Sequence, residues 1–166
     1  MRAAVLALVV VGVLTGCDLN ARQDPFADTP VGKFVLWAQP KQIHPMPRFA
    51  DEVQLGLGDE LLQTRARDDL ADPSAWEIAK PGFRGATGPF SAYELLVKSR
   101  GDLTLNEGAH PRCASPPGAV PAGLESMRHQ SIQPAKTDSC LEWFSVDLFV
   151  NEDGEIAAVT LDLWEP

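Results

Sequence analysis

Apolar and polar residues alternate most regularly in residues 140–166, CLEWFSVDLFVNEDGEIAAVTLDLWEP. The dipeptide Asp153-Gly154 favours the centre of a type I′ hairpin turn. A turn there pairs Phe144 with Leu163, Val146 with Leu161, Leu148 with Val159 and Val150 with Ala157. These residues are all apolar and share one face, so turn chemistry and alternation select the same register. The other face then carries Trp143 opposite Trp164, Ser145 opposite Asp162, Asp147 opposite Thr160 and Phe149 opposite Ala158. Glu152 and Glu155 face each other at the tip, where solvent screens them.

The same reading extends through the rest of the chain. The run VGKFVLWAQP is apolar and rich in β-formers up to Pro40, which predicts a strand over 32–38. Residues 39–50 carry Pro40, Pro45 and Pro47 and read as loop, and Val53, Leu55 and Leu57 then alternate as a second strand. After Asp59 the four-residue spacing of Leu62, Ala66 and Leu70 predicts a helix before Pro73. A second helix is expected over 92–100: Ser91 is a good N-cap, Glu94 completes a capping box, Phe90 can staple against Leu95, and Gly101 suits the C′ position. Ala92, Leu95, Leu96 and Ser99 share its sheet-facing side. Residues 103–106 and 127–133 add strands. The expected fold is α+β: an antiparallel sheet of five to seven strands, one or two helices packed on one face, and a C-terminal β-hairpin over 143–164.

Ahead of these elements, residues 1–16 have one early positive charge, Arg2, and an apolar stretch from Ala3 to Leu14. That stretch is too short for a membrane span, which takes roughly 20 residues, and reads as a cleaved secretory signal. Leu14-Thr15-Gly16-Cys17 resembles the lipobox of bacterial lipoproteins. The resemblance covers only the first 17 residues. It implies a diacylglyceryl group on the Cys17 thiol, cleavage before Cys17, acylation (palmitate or a similar chain) of the new amino terminus, and attachment to the outer face of the bacterial cell membrane. Two or three acyl chains anchor stably where one is marginal. In enterobacterial members an aspartate after the cysteine, as Asp18 is here, signals inner-membrane retention. Residues 17–30 then read as a polar tether with two prolines, and residues 31–166 as a single domain. No family is recognisable in residues 31–166.

If Cys17 carries lipid, Cys113 and Cys140 remain as an even pair outside the cytoplasm, and a disulfide is the plain inference. The rival is a metal site, in which His110 and Cys113 form an H-x-x-C pair, with His129 and Cys140 as further ligands. Zinc sites usually show two closely spaced pairs, and the second pair here straddles Pro134, which favours the disulfide.

Cleavage at Cys17 removes Arg2 and no acid, taking the formal charge from −9 to −10. A surface this acidic is a poor partner for nucleic acid or anionic lipid headgroups. No phosphate-cradling glycine loop, G-x-S-x-G or H-E-x-x-H is present, so neither a cofactor nor a metal is expected. NEDGE fails as a calcium loop, because an EF-hand register would put Phe149 and Thr160 at ligand positions.

The polar face of the hairpin remains. Trp143 and Trp164 beside Asp147 and Asp162 suit a sugar-like ligand, and two carboxylates about 7 to 8 Å apart resemble a glycosidase acid and base. The leading reading is a membrane-anchored, non-enzymatic binding or accessory module of the cell envelope, its partner a protein or glycan. The alternative is an envelope carbohydrate hydrolase using Asp147 and Asp162. An open, concave face would favour a glycan ligand, and a covered face would remove both uses of these residues.

Overall fold

A computed structural model describes residues 28–39, 44–99, 102–108, 113 and 118–163. The leader, Cys17, most of the tether, Arg100, Gly101, His110 and Trp164 lie outside the described residues.

The first described element is helix α1 (Pro30–Trp37), which corrects the strand expected over 32–38. Thr29 Oγ1 accepts from the Gly32 N–H at 3.2 Å, and Pro30 occupies the first turn, where its missing N–H costs nothing. Val31, Phe34, Trp37 and Ala38 recur at helical intervals and are all buried. One apolar face against the sheet outweighs the modest strand preference of the individual residues.

Strand β1 (Phe49–Leu57) turns back into β2 (Glu60–Ala66) and a 3-10 turn at Arg67–Ala71. The helix expected after Asp59 is therefore a strand, and Leu62, Ala66 and Leu70 do not form one helical stripe. Leu57 pairs with Glu60, leaving a two-residue loop in which Gly58 (φ 61°) takes the left-handed conformation such a tight turn needs. Register shifts between Leu55 and Gly56, and a Cβ on Gly56 would lie 2.4 Å from the Glu60 carbonyl oxygen. Glycine there is a steric requirement of the bulge.

Helix α2 (Ala92–Lys98) forms where expected, with Ser91 Oγ accepting from the Glu94 N–H at 3.2 Å. Ala92, Tyr93 and Leu96 are buried, and Leu95 packs against the core. Strands β3 (Leu103–Glu107), β4 (Arg128–Pro134), β5 (Phe144–Val150) and β6 (Ile156–Leu163) complete the sheet among the described residues.

The six strands form one sheet in the order β2-β1-β6-β5-β4-β3. The sheet is mixed: β1 and β6 run parallel and every other neighbouring pair antiparallel, so the all-antiparallel expectation is corrected at that pair. Parallel neighbours need a long crossover, and β1 and β6 are separated by most of the domain. The fold class is α+β.

Both helices pack on the sheet face carrying Val53, Leu55, Val146, Leu148, Val159 and Leu161. Its centre is an aromatic cluster of Phe34, Trp37, Phe49, Trp76 and Tyr93, with ring centroids 5.1 Å (Trp37–Tyr93) to 6.3 Å (Trp76–Tyr93) apart. Trp76 is buried, and its Nε1–H donates to the Leu70 carbonyl at 2.9 Å, so the ring carries no unpaired donor into the core.

The β5–β6 hairpin follows the expected register from Phe144 opposite Leu163 to Phe149 opposite Ala158. Only the tip differs: Val150 faces Ile156, not Ala157. The Gly154 N–H donates to the Asn151 carbonyl at 3.0 Å, and Asn151 Oδ1 accepts from the Asp153 and Glu155 N–H groups. Gly154 (φ 76°) is the one tip residue with positive φ. The connection is therefore a type I turn followed by a glycine bulge, in place of type I′. It sets Glu155 opposite Asn151 and removes the expected juxtaposition with Glu152.

Candidate functional site

The sheet's second face is polar and runs through β3 to β6 as Thr104, Asn106, His129, Ser131, Gln133, Ser145, Asp147, Thr160 and Asp162. Ser131, Gln133, Ser145, Thr160 and Asp162 are buried, as is Trp143, which is 5% exposed. Residues 118–127, which lead into β4, supply much of the cover. Leu124 and Met127 pack with Phe149, Ala158 and Leu61 in a small second core, and Gly118 and Ala119 lie over Trp143, Ser145 and Asp147.

Between this cover and the sheet is a crevice of about 20 Å³, room for about one water. Each of the two acids suggested by the sequence has a cationic or imidazole partner. The His129 ring nitrogen Nε2 is 2.6 Å from Asp147 Oδ1, and the imidazole stacks on Phe149 with centroids 4.7 Å apart. Side chains of this pair are 14% and 16% exposed. Arg84 Nε donates to Asp162 Oδ1 at 3.2 Å, and the Leu163 N–H donates to the same oxygen at 3.0 Å. Arg84 adopts a left-handed backbone (φ 49°) just after Gly82-Phe83, an uncommon conformation for a non-glycine residue.

Asp147 and Asp162 thus occupy one face, as the hairpin register requires, but each is engaged in a separate pair. The crevice has no space for a glycosyl ring between them, and Trp143 presents no open ring face to solvent. Trp164 lies outside the described residues, so the proposed aromatic pair is represented by Trp143 alone. Sequence reasoning missed His129 and Arg84 as partners of these acids. His129 reaches Asp147 because β4 pairs with β5 so that His129 opposes Phe149 and Ser131 opposes Asp147. No short-range turn signal in the sequence announces that register.

Cys113 and Cys140 form a disulfide, with Cα atoms 5.7 Å apart, inside the usual range. Their thiols are therefore unavailable to a metal, and the fourth suggested ligand, His129, is turned to Asp147. Among the described residues no group of three or more His, Cys, Asp or Glu side chains could hold a metal ion. Two carboxyls are held below their ordinary range. A hydrogen bond from the Ser74 backbone N–H lowers Asp72, and bonds from its own backbone N–H and that of Gly123 lower Glu125. Both are exposed capping groups, and neither borders the crevice.

Comparison of the chain with protein-family models, curated proteins and solved structures finds no match.

Proposed function

We propose that the chain is an exported bacterial lipoprotein, anchored through lipid on Cys17 to the outer face of the cell membrane, whose domain acts as a non-enzymatic binding or accessory module of the envelope. The observation that carries this reading is the Cys113–Cys140 disulfide. It accounts for two of the three cysteines and leaves Cys17, inside the lipobox-like Leu14-Thr15-Gly16-Cys17, as the odd thiol. A structural disulfide also belongs to an oxidising compartment.

The sheet face that suggested carbohydrate hydrolysis gives that alternative no support, since its carboxylates are engaged by His129 and Arg84 beneath a covering segment. An envelope protein or glycan is the partner class this reading leaves, met on the outer surface of the domain.

Metabolic labelling with a radioactive or clickable fatty acid tests the anchor. Wild-type chain in a bacterial host takes up label and fractionates with membranes, whereas Cys17→Ser takes up none and remains unprocessed or soluble. Label on the Cys17→Ser variant would overturn the reading.

A further inference from the structure

We propose that β3 is a self-association edge, on which a second copy of this chain pairs antiparallel so that the two six-stranded sheets become one. The inference goes beyond the lipid-anchor reading and does not depend on it.

The phase of the ladder fixes which backbone groups of β3 are unused. The Ala135 N–H donates to the Asp102 carbonyl at 2.8 Å, and the Gly108 N–H to the His129 carbonyl at 2.7 Å, at the two ends of the β3–β4 pairing. Hydrogen-bonded positions alternate along an antiparallel pair. Thr104 and Asn106 therefore bond toward β4, while Leu103, Leu105 and Glu107 turn their N–H and C=O groups outward. β3 is the outermost strand, and among the described residues nothing bonds to those outward groups.

Sheet edges are ordinarily guarded by proline, lysine, a bulge or a covering segment. The opposite edge is guarded in this way: β2 pairs with β1 through a register shift, and the Gln63 and Arg65 side chains donate to the Glu77 and Ala75 carbonyls of the segment beside it. β3 reads Leu-Thr-Leu-Asn-Glu and pairs with β4 through consecutive positions without a shift. Its two leucines pack against the core yet stay partly exposed at the rim of the sheet.

The sequence of β3 matches itself. Antiparallel pairing centred on Thr104 sets Leu103 opposite Leu105 of the second copy, Leu105 opposite its Leu103, and the two Thr104 side chains opposite each other. Each leucine pair then exchanges both N–H···O bonds, and the leucines carry the core across the seam on the face that bears the helices in both copies. Charge permits the approach: residues 103–106 are uncharged and Asp102 falls opposite Asn106, so no like charges face each other there. A second copy also arrives as a strand already ordered by its own β4, whereas a flexible peptide must lose conformational entropy to take the same place. The seam is short, so the dimer is weak and concentration-dependent.

The test uses the purified full chain in mild detergent. Thr104 is exposed, and Thr104→Cys puts two thiols at a non-hydrogen-bonded pair with Cα atoms about 4.5 Å apart, within disulfide reach. Mild oxidation is expected to link two copies, at a rate that rises with protein concentration, and peptide mass spectrometry places the bond between the two residues 104. Thr64→Cys, also exposed but on β2, gives no such bond. In the Thr104→Cys background, Asn106→Asp sets an acid opposite Asp102 and slows the initial linking roughly fivefold, and Asn106→Lys speeds it by a similar factor. No bond at residue 104, a bond formed as readily at residue 64, or a rate indifferent to the charge at 106 would each overturn the proposal. The first of these results would leave the edge to an extended segment of another protein.

Discussion

Replacing both Cys113 and Cys140 by serine removes a cross-link that spans 27 positions of sequence. Within that span lie the segment covering the polar face and all of β4, so the unfolded chain regains the freedom of a long loop. The chain-entropy relation for a loop of this length gives a loss of about 3.5 kcal/mol. For a domain of this size that corresponds to a fall in melting temperature of roughly 7 to 14 °C. Urea denaturation of the wild type and the double variant, followed by tryptophan fluorescence, reads the loss directly. The reasoning places the effect in the denatured state, so the native spectrum should be unchanged and the urea slope m should rise as the freed chain exposes more surface. A loss below about 1 kcal/mol, or an unchanged m, would refute it, because the formula then describes a constraint the unfolded chain does not feel.

Two further outcomes follow from ion pairs and caps. Asp162→Ala leaves the guanidinium of Arg84 and the Leu163 N–H without this carboxylate. The cost should be about 2 kcal/mol, below the range for a deeply buried pair because Arg84 still reaches solvent. Asp162→Asn keeps an acceptor and should cost less than half of that, and equal melting temperatures for the two variants would count against the pair. At Asp72 the hydrogen bond from the Ser74 N–H holds the folded carboxyl below the ordinary range of an aspartate. A group so depressed contributes its stabilisation above the unfolded value and loses it as pH falls through the folded one. NMR titration should therefore place the Asp72 midpoint below that of an unstructured aspartate, and Asp72→Asn should keep the cap while flattening the acid limb of the stability profile. A midpoint at or above that of an unstructured aspartate would remove the assignment.

The legible parts of this fold were those fixed by short-range chemistry. In the β5–β6 hairpin, alternation and a glycine near the tip select one register, and a one-residue slip would expose an apolar face. Helix α2 carried its own start signal in Ser91 and Glu94. The tip was misjudged because Asn151 competes for the turn: its side chain caps Asp153 and Glu155 and draws the loop one residue longer. α1 was misread because β-branched and aromatic residues dominate its composition, although Thr29-Pro30 and the spacing of Val31, Phe34 and Trp37 carried a helical signal. β2 lies at the sheet edge with most of its side chains at least partly exposed, so it shows no two-residue period to read. Only non-local pairing revealed the candidate site. Asp147 and Asp162 could be placed on one face from the sequence, but their partners arrive from β4 and from a glycine-flanked turn that no local pattern joins to them.

The sheet order also determines when the domain can assemble. Among the described residues β6 is the last strand, lies between β1 and β5, and joins the β2-β1 pair to the β5-β4-β3 group. Until residue 163 is free, the aromatic cluster beneath the helices has a floor in two unconnected halves. A chain made from its amino end therefore cannot complete this sheet until residue 163 has been made. The place of β6 in the sequence is in this sense a timing device for the sheet.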